Sequence, residues 1–270
     1  MRSLPHRLLP VGLGLLMLLS LAPSVAAVTM PSDADVTAAE TKARELINAE
    51  RTSRGLVGLK LDTRVAAIAR ERALYMAQTD VLSHEHEGGK MAWDLMTDAG
   101  IAWYGAGEII AYNSTSAPTS SASSAVSGWL GSPPHKAIML SNDYNYFGLG
   151  FAVSPTTGRR YWAGVFLKGP DRTGAWVKMG TVTKTVTSTT TVTVTTRWSG
   201  GDTKLQVLTS GFRYYQVQRQ VDGGAWVDYG VTTATSLKKW WSRHHTYVVR
   251  VRARDKDGNW GAWRSVTIRS

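Results

Sequence analysis

The sequence contains no cysteine. That excludes a disulfide framework, a thiolate metal site, a cysteine nucleophile and a lipidated N-terminal cysteine, so any metal must be held by nitrogen and oxygen. Long hydrophobic runs are also scarce. The run Leu8 to Leu21 spans 14 residues, short of the roughly 20 that a membrane-crossing helix needs, and no second long apolar run follows. Acidic residues are scarce in one region only. Residues 171–270 hold 6 Asp+Glu against 16 Lys+Arg, whereas residues 28–170 hold 14 against 13. The formal net charge of +11 therefore belongs almost entirely to the last hundred residues. With 43% hydrophobic and 19% charged residues, the bulk of the chain reads as folded, neither disordered nor wholly membrane-embedded.

What is present divides into three parts. Residues 1–27 have a short basic start (Arg2, Arg7), the apolar run, and the small-residue end Ser24-Val25-Ala26-Ala27. This pattern predicts a cleaved secretory signal peptide and an extracellular or envelope-associated product. Residues 28–170 show two helical stripes and then short strands. Val36, Ala39, Ala43, Leu46 and Ile47 recur at helical spacing up to Arg51, and Asp62 is placed to cap a second helix whose inner face is Val65, Ile68, Ala69, Ala73 and Met76. The run Ser114 to Ser127 reads as a loop entering a helix that ends near Trp129. Tyr146–Val153 and Tyr161–Leu167 read as strands, with Trp129 and Trp162 expected in the core. Turn chemistry at Lys168-Gly169-Pro170-Asp171 marks a boundary, after which Thr/Val alternation predicts an all-β domain over residues 171–270.

Several motifs in the first domain occur in a specific order: Leu46-Ile47-Asn48-x-x-Arg51, Ser83-His84, Gly107-Glu108, Ser132-Pro133-x-His135 and Gly148-Leu149-Gly150. In this order they resemble the CAP superfamily of cysteine-rich secretory, antigen 5 and pathogenesis-related 1 proteins, in its cysteine-free bacterial branch, over about residues 36–168. The resemblance implies an α+β chain, an α-β-α sandwich with a large cleft. By position it places His84, Glu108 and His135 in that cleft, where family members often hold a divalent metal, here zinc or another divalent ion. A second glutamate has no match, because Ser132-Pro133-Pro134 occupies its region; Ile109, Lys136 and Leu95 also depart from the usual residues.

Two imidazoles and a carboxylate suit zinc with an open coordination position, although separations of 24 and 27 residues carry no signal of their own. His86 competes with His84. In an extended segment the two would point to the same side, with Glu85 and Glu87 on the other. Asn113-Ser114-Thr115 matches a glycosylation sequon that export from a bacterium would leave unused.

In the second domain, Tyr247, Val249, Val251 and Ala253 alternate with Arg250, Arg252 and Arg254. Trp198, this alternating run and Asp255 to Trp263 resemble a bacterial fibronectin type III-like module, which implies a β-sandwich. Seven of the eleven tryptophans lie here. The segment Lys238-Lys239-Trp240-Trp241-x-Arg243 interleaves cations and rings, as a surface that grips a cell-wall or other anionic polymer would. Export favours such a polymer, or anionic lipid, over nucleic acid. Two functions follow. One is a binding protein, its cleft taking a small apolar or peptide ligand, with or without a metal, and its β domain tethering it to the envelope. The other is a metal-dependent hydrolase of peptide, ester or glycan, with Glu108 as its catalytic carboxylate. No separate general base stands in a recognisable motif, so binding is the preferred expectation.

Overall fold

The structure, a computed structural model, describes residues 28–115 and 117–270; the expected signal peptide lies outside them. The first half is a three-layer arrangement. A four-stranded sheet runs in the order β1 (Lys60–Leu61), β3 (Tyr146–Val153), β4 (Arg160–Lys168), β2 (Gly105–Asn113). On one side lie α1 (Asp33–Ser53), α4 (Pro118–Gly131) and α5 (Pro133–Met139); on the other lie α2 (Thr63–Thr79) and α3 (Ala92–Asp98).

Strand alternation explains why the central strands are buried throughout. In β4, Trp162 and Phe166 join Ala39, Ala43 and Ile47 of α1, while Tyr161, Ala163, Val165 and Leu167 face α2 and α3. Ser32 caps α1 through a capping box with Asp35, and Asp62 caps α2 by accepting from the Arg64 backbone. Helix α2 lies directly on β3. A Cβ at Gly148 would fall 2.2 Å from the Ala66 nitrogen, and one at Gly150 would fall 2.1 Å from the Ala69 carbonyl oxygen. Only glycine permits that approach.

Arg51 is fully buried at the end of α1. Its Nε donates to the Val57 carbonyl, and its Nη1 donates to the carbonyls of Met139 (2.7 Å) and Ser141 (3.0 Å). It thereby ties down the C-terminal end of α5, the helix that carries His135. Burial lowers its pKa to about 10, so it remains a cation at neutral pH.

The second half consists of two antiparallel sheets. One runs β11 (Arg264–Arg269), β10 (Thr246–Asp255), β7 (Phe212–Val221), β8 (Val227–Thr232); the other runs β5 (Trp176–Val186), β6 (Thr191–Gly201), β9 (Ser236–Ser242). Their inner faces meet around Val192, Val194, Trp198, Tyr215, Val249 and Val251. Contacts between the halves are specific. Arg172 donates to Asp62 (2.8 Å) and to the Ala102 carbonyl (2.7 Å), Gln206 accepts from the Val57 backbone (2.7 Å), and Leu205 packs in one cluster with Val65, Ile68 and Leu167.

Candidate functional site

Glu108 lies in the middle of β2, opposite Val165 of β4. Its neighbour Ile109 points into the α1 layer and Ile110 points to the α2 layer, so alternation sends the Glu108 carboxylate toward α2. There it meets Arg72. Arg72 Nε donates to Glu108 Oε1 at 2.8 Å, with side-chain exposures of 0% and 1%. Arg72 Nη2 also donates to the Ser83 carbonyl at 2.6 Å, which fixes the backbone just before His84. His84 Nδ1 then lies 2.7 Å from Glu108 Oε2. The result is a continuous chain, Arg72–Glu108–His84, buried at its root and exposed at its tip. Because Nδ1 is engaged by the carboxylate, the His84 ring presents Nε2 outward.

His135, on α5, is half-buried. Burial, followed by the charge of nearby His84, holds its pKa below the usual imidazole value, so at neutral pH it is an uncharged ring. The surroundings of the site are tightly packed. Tyr144 donates to the Ala106 carbonyl at 3.2 Å, and a Cβ at Gly107 would come within 2.7 Å of its hydroxyl.

The three residues expected to share a metal are not assembled as one ligand set. Among the described residues, His84, Glu108 and His135 do not bring one donor atom each to within 4.8 Å of the others. Both Glu108 oxygens are engaged, and the neighbouring Arg72 Nη1 is a buried donor with no partner. A buried guanidinium already supplies the positive charge beside Glu108, so this carboxylate is less suited to a dication than the two imidazoles. The donors left for a metal are the two imidazoles.

The segment carrying His84 and His86 is irregular and closes with a 3-10 turn at Glu87–Gly89 instead of extending as a strand. The two histidines take different partners: the His86 ring lies tilted against Tyr75, 4.3 Å between ring centres, and 3.7 Å from Glu71. The patch of Lys238, Lys239, Trp240, Trp241 and Arg243 is divided by strand alternation. Trp240 is 74% exposed, whereas Trp241 is buried, stacked on Tyr247 at 4.4 Å. Adjacent residues of a strand point to opposite faces, so Trp241 is a core residue and not part of a polymer-gripping surface. Lys238 remains on the exposed strand, Lys239 lies over Tyr229 at 5.3 Å, and Arg243 donates to the Thr189 carbonyl.

Sequence reasoning missed Arg72 and also an acidic trio. Asp171, Asp202 and Asp255 each bring one oxygen within 4.8 Å of the others. Their carboxylates accept from Thr173, Ser210, Thr203, Gly211 and Asn259, organising the loops between the halves. Burial, opposed by the Gly211 backbone and reinforced by Asp171, raises the Asp202 pKa.

Residues 44–166 match the family model of the cysteine-rich secretory protein family, CAP. The match takes in just under half of the chain. Similar proteins include the uncharacterized membrane protein YlbC of Bacillus subtilis, 30% identical over 132 residues, or 49% of this chain and 35% of that protein. YkwD of the same organism is 29% identical over 126 residues, 47% of each chain. The chain thus spans half or less of the length of the curated relatives it matches. Among solved structures, an outer surface protein from Borrelia burgdorferi aligns with a TM-score of 0.46 at 18% identity, covering 52% of this chain and 98% of that one. Arg72, Glu108 and His84 all fall inside the matched CAP segment, as does His135. No helix among the described residues is long and apolar enough to cross a membrane.

Proposed function

We propose that this is an exported, envelope-associated binding protein whose CAP domain takes its ligand on the face formed by His84 and His135. The observation that carries this reading is the placement of Glu108. The hydrolase reading needs Glu108 free to take up a proton, but Arg72 already neutralises it in a buried pair, so the carboxylate acts as a fixed acceptor that orients His84. The outward face is then two imidazoles, one of them held neutral. Such a pair accepts a divalent metal or a hydrogen-bond donor from a ligand.

We further read the β half as a fibronectin type III-like tether. The division of seven strands into groups of four and three supports this. So does Tyr247 near the start of β10, whose hydroxyl donates back to the Ser242 carbonyl at 3.0 Å in the manner of a tyrosine corner. Its basic charge suits an anionic envelope polymer.

Zinc titration calorimetry on residues 28–270 tests the CAP face. The expected result is one site, lost in His84→Ala and His135→Ala, and weakened about 10–100-fold in Glu108→Gln through loss of the carboxylate behind His84. Unaltered binding in His84→Ala, or none in the parent protein, overturns the metal-accepting face.

A further inference from the structure

The outer face of the sheet β11-β10-β7-β8 carries a ladder of alternating cations and rings. The Arg250 guanidinium lies 3.8 Å from the ring centre of Trp226 and 4.4 Å from that of Trp263. Arg252 lies 4.5 Å from Trp263 and 4.0 Å from Trp260, and Arg254 continues the series 5.3 Å from Trp260. Trp263 is thus shared between two guanidinium groups, and each of those two groups lies against two rings.

The edges of these guanidiniums are as ordered as their faces. Arg250 donates through Nε (2.9 Å) and Nη2 (2.6 Å) to Gln218 Oε1, and Arg252 donates through Nε (2.9 Å) and Nη2 (2.7 Å) to Gln216 Oε1. Both glutamines donate in turn to Asp228. Neither Arg250 nor Arg252 has a protein acceptor at Nη1 among the described residues, and neither Nη1 is buried. Each guanidinium therefore keeps one fork, Nη1 with the second hydrogen of Nη2, aimed at solvent. The direct acceptors behind the forks are neutral amides, and the single carboxylate beyond them, Asp228, can offset at most one of the two positive charges.

Such a fork matches the paired oxygens of phosphate or carboxylate, and its fixed stacking removes the rotamer cost that a free arginine side chain carries into a complex. Arg250 and Arg252 are two residues apart on one strand, so the forks repeat at about 6.6–6.8 Å. Phosphodiesters joined through a three-carbon alcohol have an extended repeat close to that rise. We propose that Arg250 and Arg252, set in the ladder of Trp226, Trp263 and Trp260, form the site at which this protein binds a phosphodiester polymer of the cell envelope. This deepens the tether reading above and moves its centre from the β9 segment to the opposite sheet.

The test measures binding of residues 28–270 to soluble poly(glycerol phosphate) at low and moderate salt, following tryptophan fluorescence. Three tryptophans line the site, so a saturable change in emission is expected on addition of polymer, weakening as salt rises. Arg250→Lys/Arg252→Lys keeps the charge but removes the forks; it is expected to lose at least tenfold in affinity while melting as a folded protein. Lys238→Gln/Lys239→Gln removes two charges from the other sheet and is expected to lose less than threefold. Full affinity in the Arg250→Lys/Arg252→Lys variant, or a larger loss in the Lys238→Gln/Lys239→Gln variant, overturns the ladder as the site while leaving the tether reading standing. No binding by the parent protein overturns both. Should the arginine variant fail to fold, an unchanged emission spectrum of the parent protein at polymer concentrations that retain it overturns the proposal. Preferential capture by phosphatidylglycerol vesicles, with the polymer unable to compete, overturns the polymer in favour of a lipid headgroup.

Discussion

Replacing Arg72 by methionine separates a structural ion pair from a reactive carboxylate. Methionine has similar length and packs among the apolar residues of α2, but it leaves Glu108 as a buried charge with only the His84 hydrogen bond to hold it. Arg72 and Glu108 are both essentially without solvent contact, so screening is absent and removal of one partner should cost about 3–5 kcal/mol. For a chain of this size, each kcal/mol moves the melting temperature by about 2–4 °C, giving an expected drop of about 6–20 °C. All helices among the described residues lie in the first half, so urea unfolding followed by far-UV circular dichroism reports on that half. Two controls sharpen the result. The deficit should shrink at acid pH, where a lone carboxyl becomes neutral, and Arg72→Met/Glu108→Gln should recover much of the single-variant loss because no unpaired charge remains. A loss in Arg72→Met below about 1 kcal/mol, or a double variant no more stable than the single one, would refute the buried-pair account.

Two further predictions concern the scaffold. Gly150→Ala forces a Cβ against the α2 backbone and should cost about 3 kcal/mol, the upper end of the usual range for overpacking; a urea midpoint close to that of the parent would show that α2 can lift away. Asp62 joins the two halves through Arg172. Burial raises its pKa, but hydrogen bonds from Arg64 and the charge of Arg172 outweigh this, and the net shift is downward. A depressed carboxylate contributes stability above its unfolded pKa, about 3.9, and loses that contribution as pH falls through the folded value. Urea titrations between neutral pH and pH about 3 should therefore show an acid-side loss that is smaller in Arg172→Gln; identical pH profiles for the two proteins would dissociate Asp62 from the junction.

The sequence displayed the scaffold better than the site. The stripe Val65, Ile68, Ala69, Ala73, Met76 is legible because helical periodicity is local, and it is buried as expected. Arg72 lies inside that stripe, four residues after Ile68 and four before Met76, and a charge in an apolar stripe was itself the available signal. Its partner was not legible, because Glu108 is 36 residues away and only the packing of α2 on the sheet joins them. In β10 the alternation separates Tyr247, Val249, Val251 and Ala253 from the three arginines, and the fold follows it. The tryptophans that cover those arginines come from the segment before β8 and the stretch before β11, so no local pattern relates them. The expectation for Trp241 failed for an equally physical reason: a run of mixed charge and aromatic residues looks continuous in one dimension, but a strand distributes it over two faces.

The chemistry behind the arginine ladder has a consequence for the conditions under which each end of the molecule works. Glutamine side chains do not ionise, and guanidinium groups keep their protons across any physiological range. The proposed grip of the β half would therefore respond to ionic strength far more than to acidity. The face that carries His135 has the opposite character, because burial keeps that ring uncharged at neutral pH and it gains a proton only as the solution acidifies. If the tether holds as proposed, an acidifying environment would leave it in place while His135 exchanged an accepting nitrogen for a cationic ring, so that acidity would govern what is held without releasing the holder.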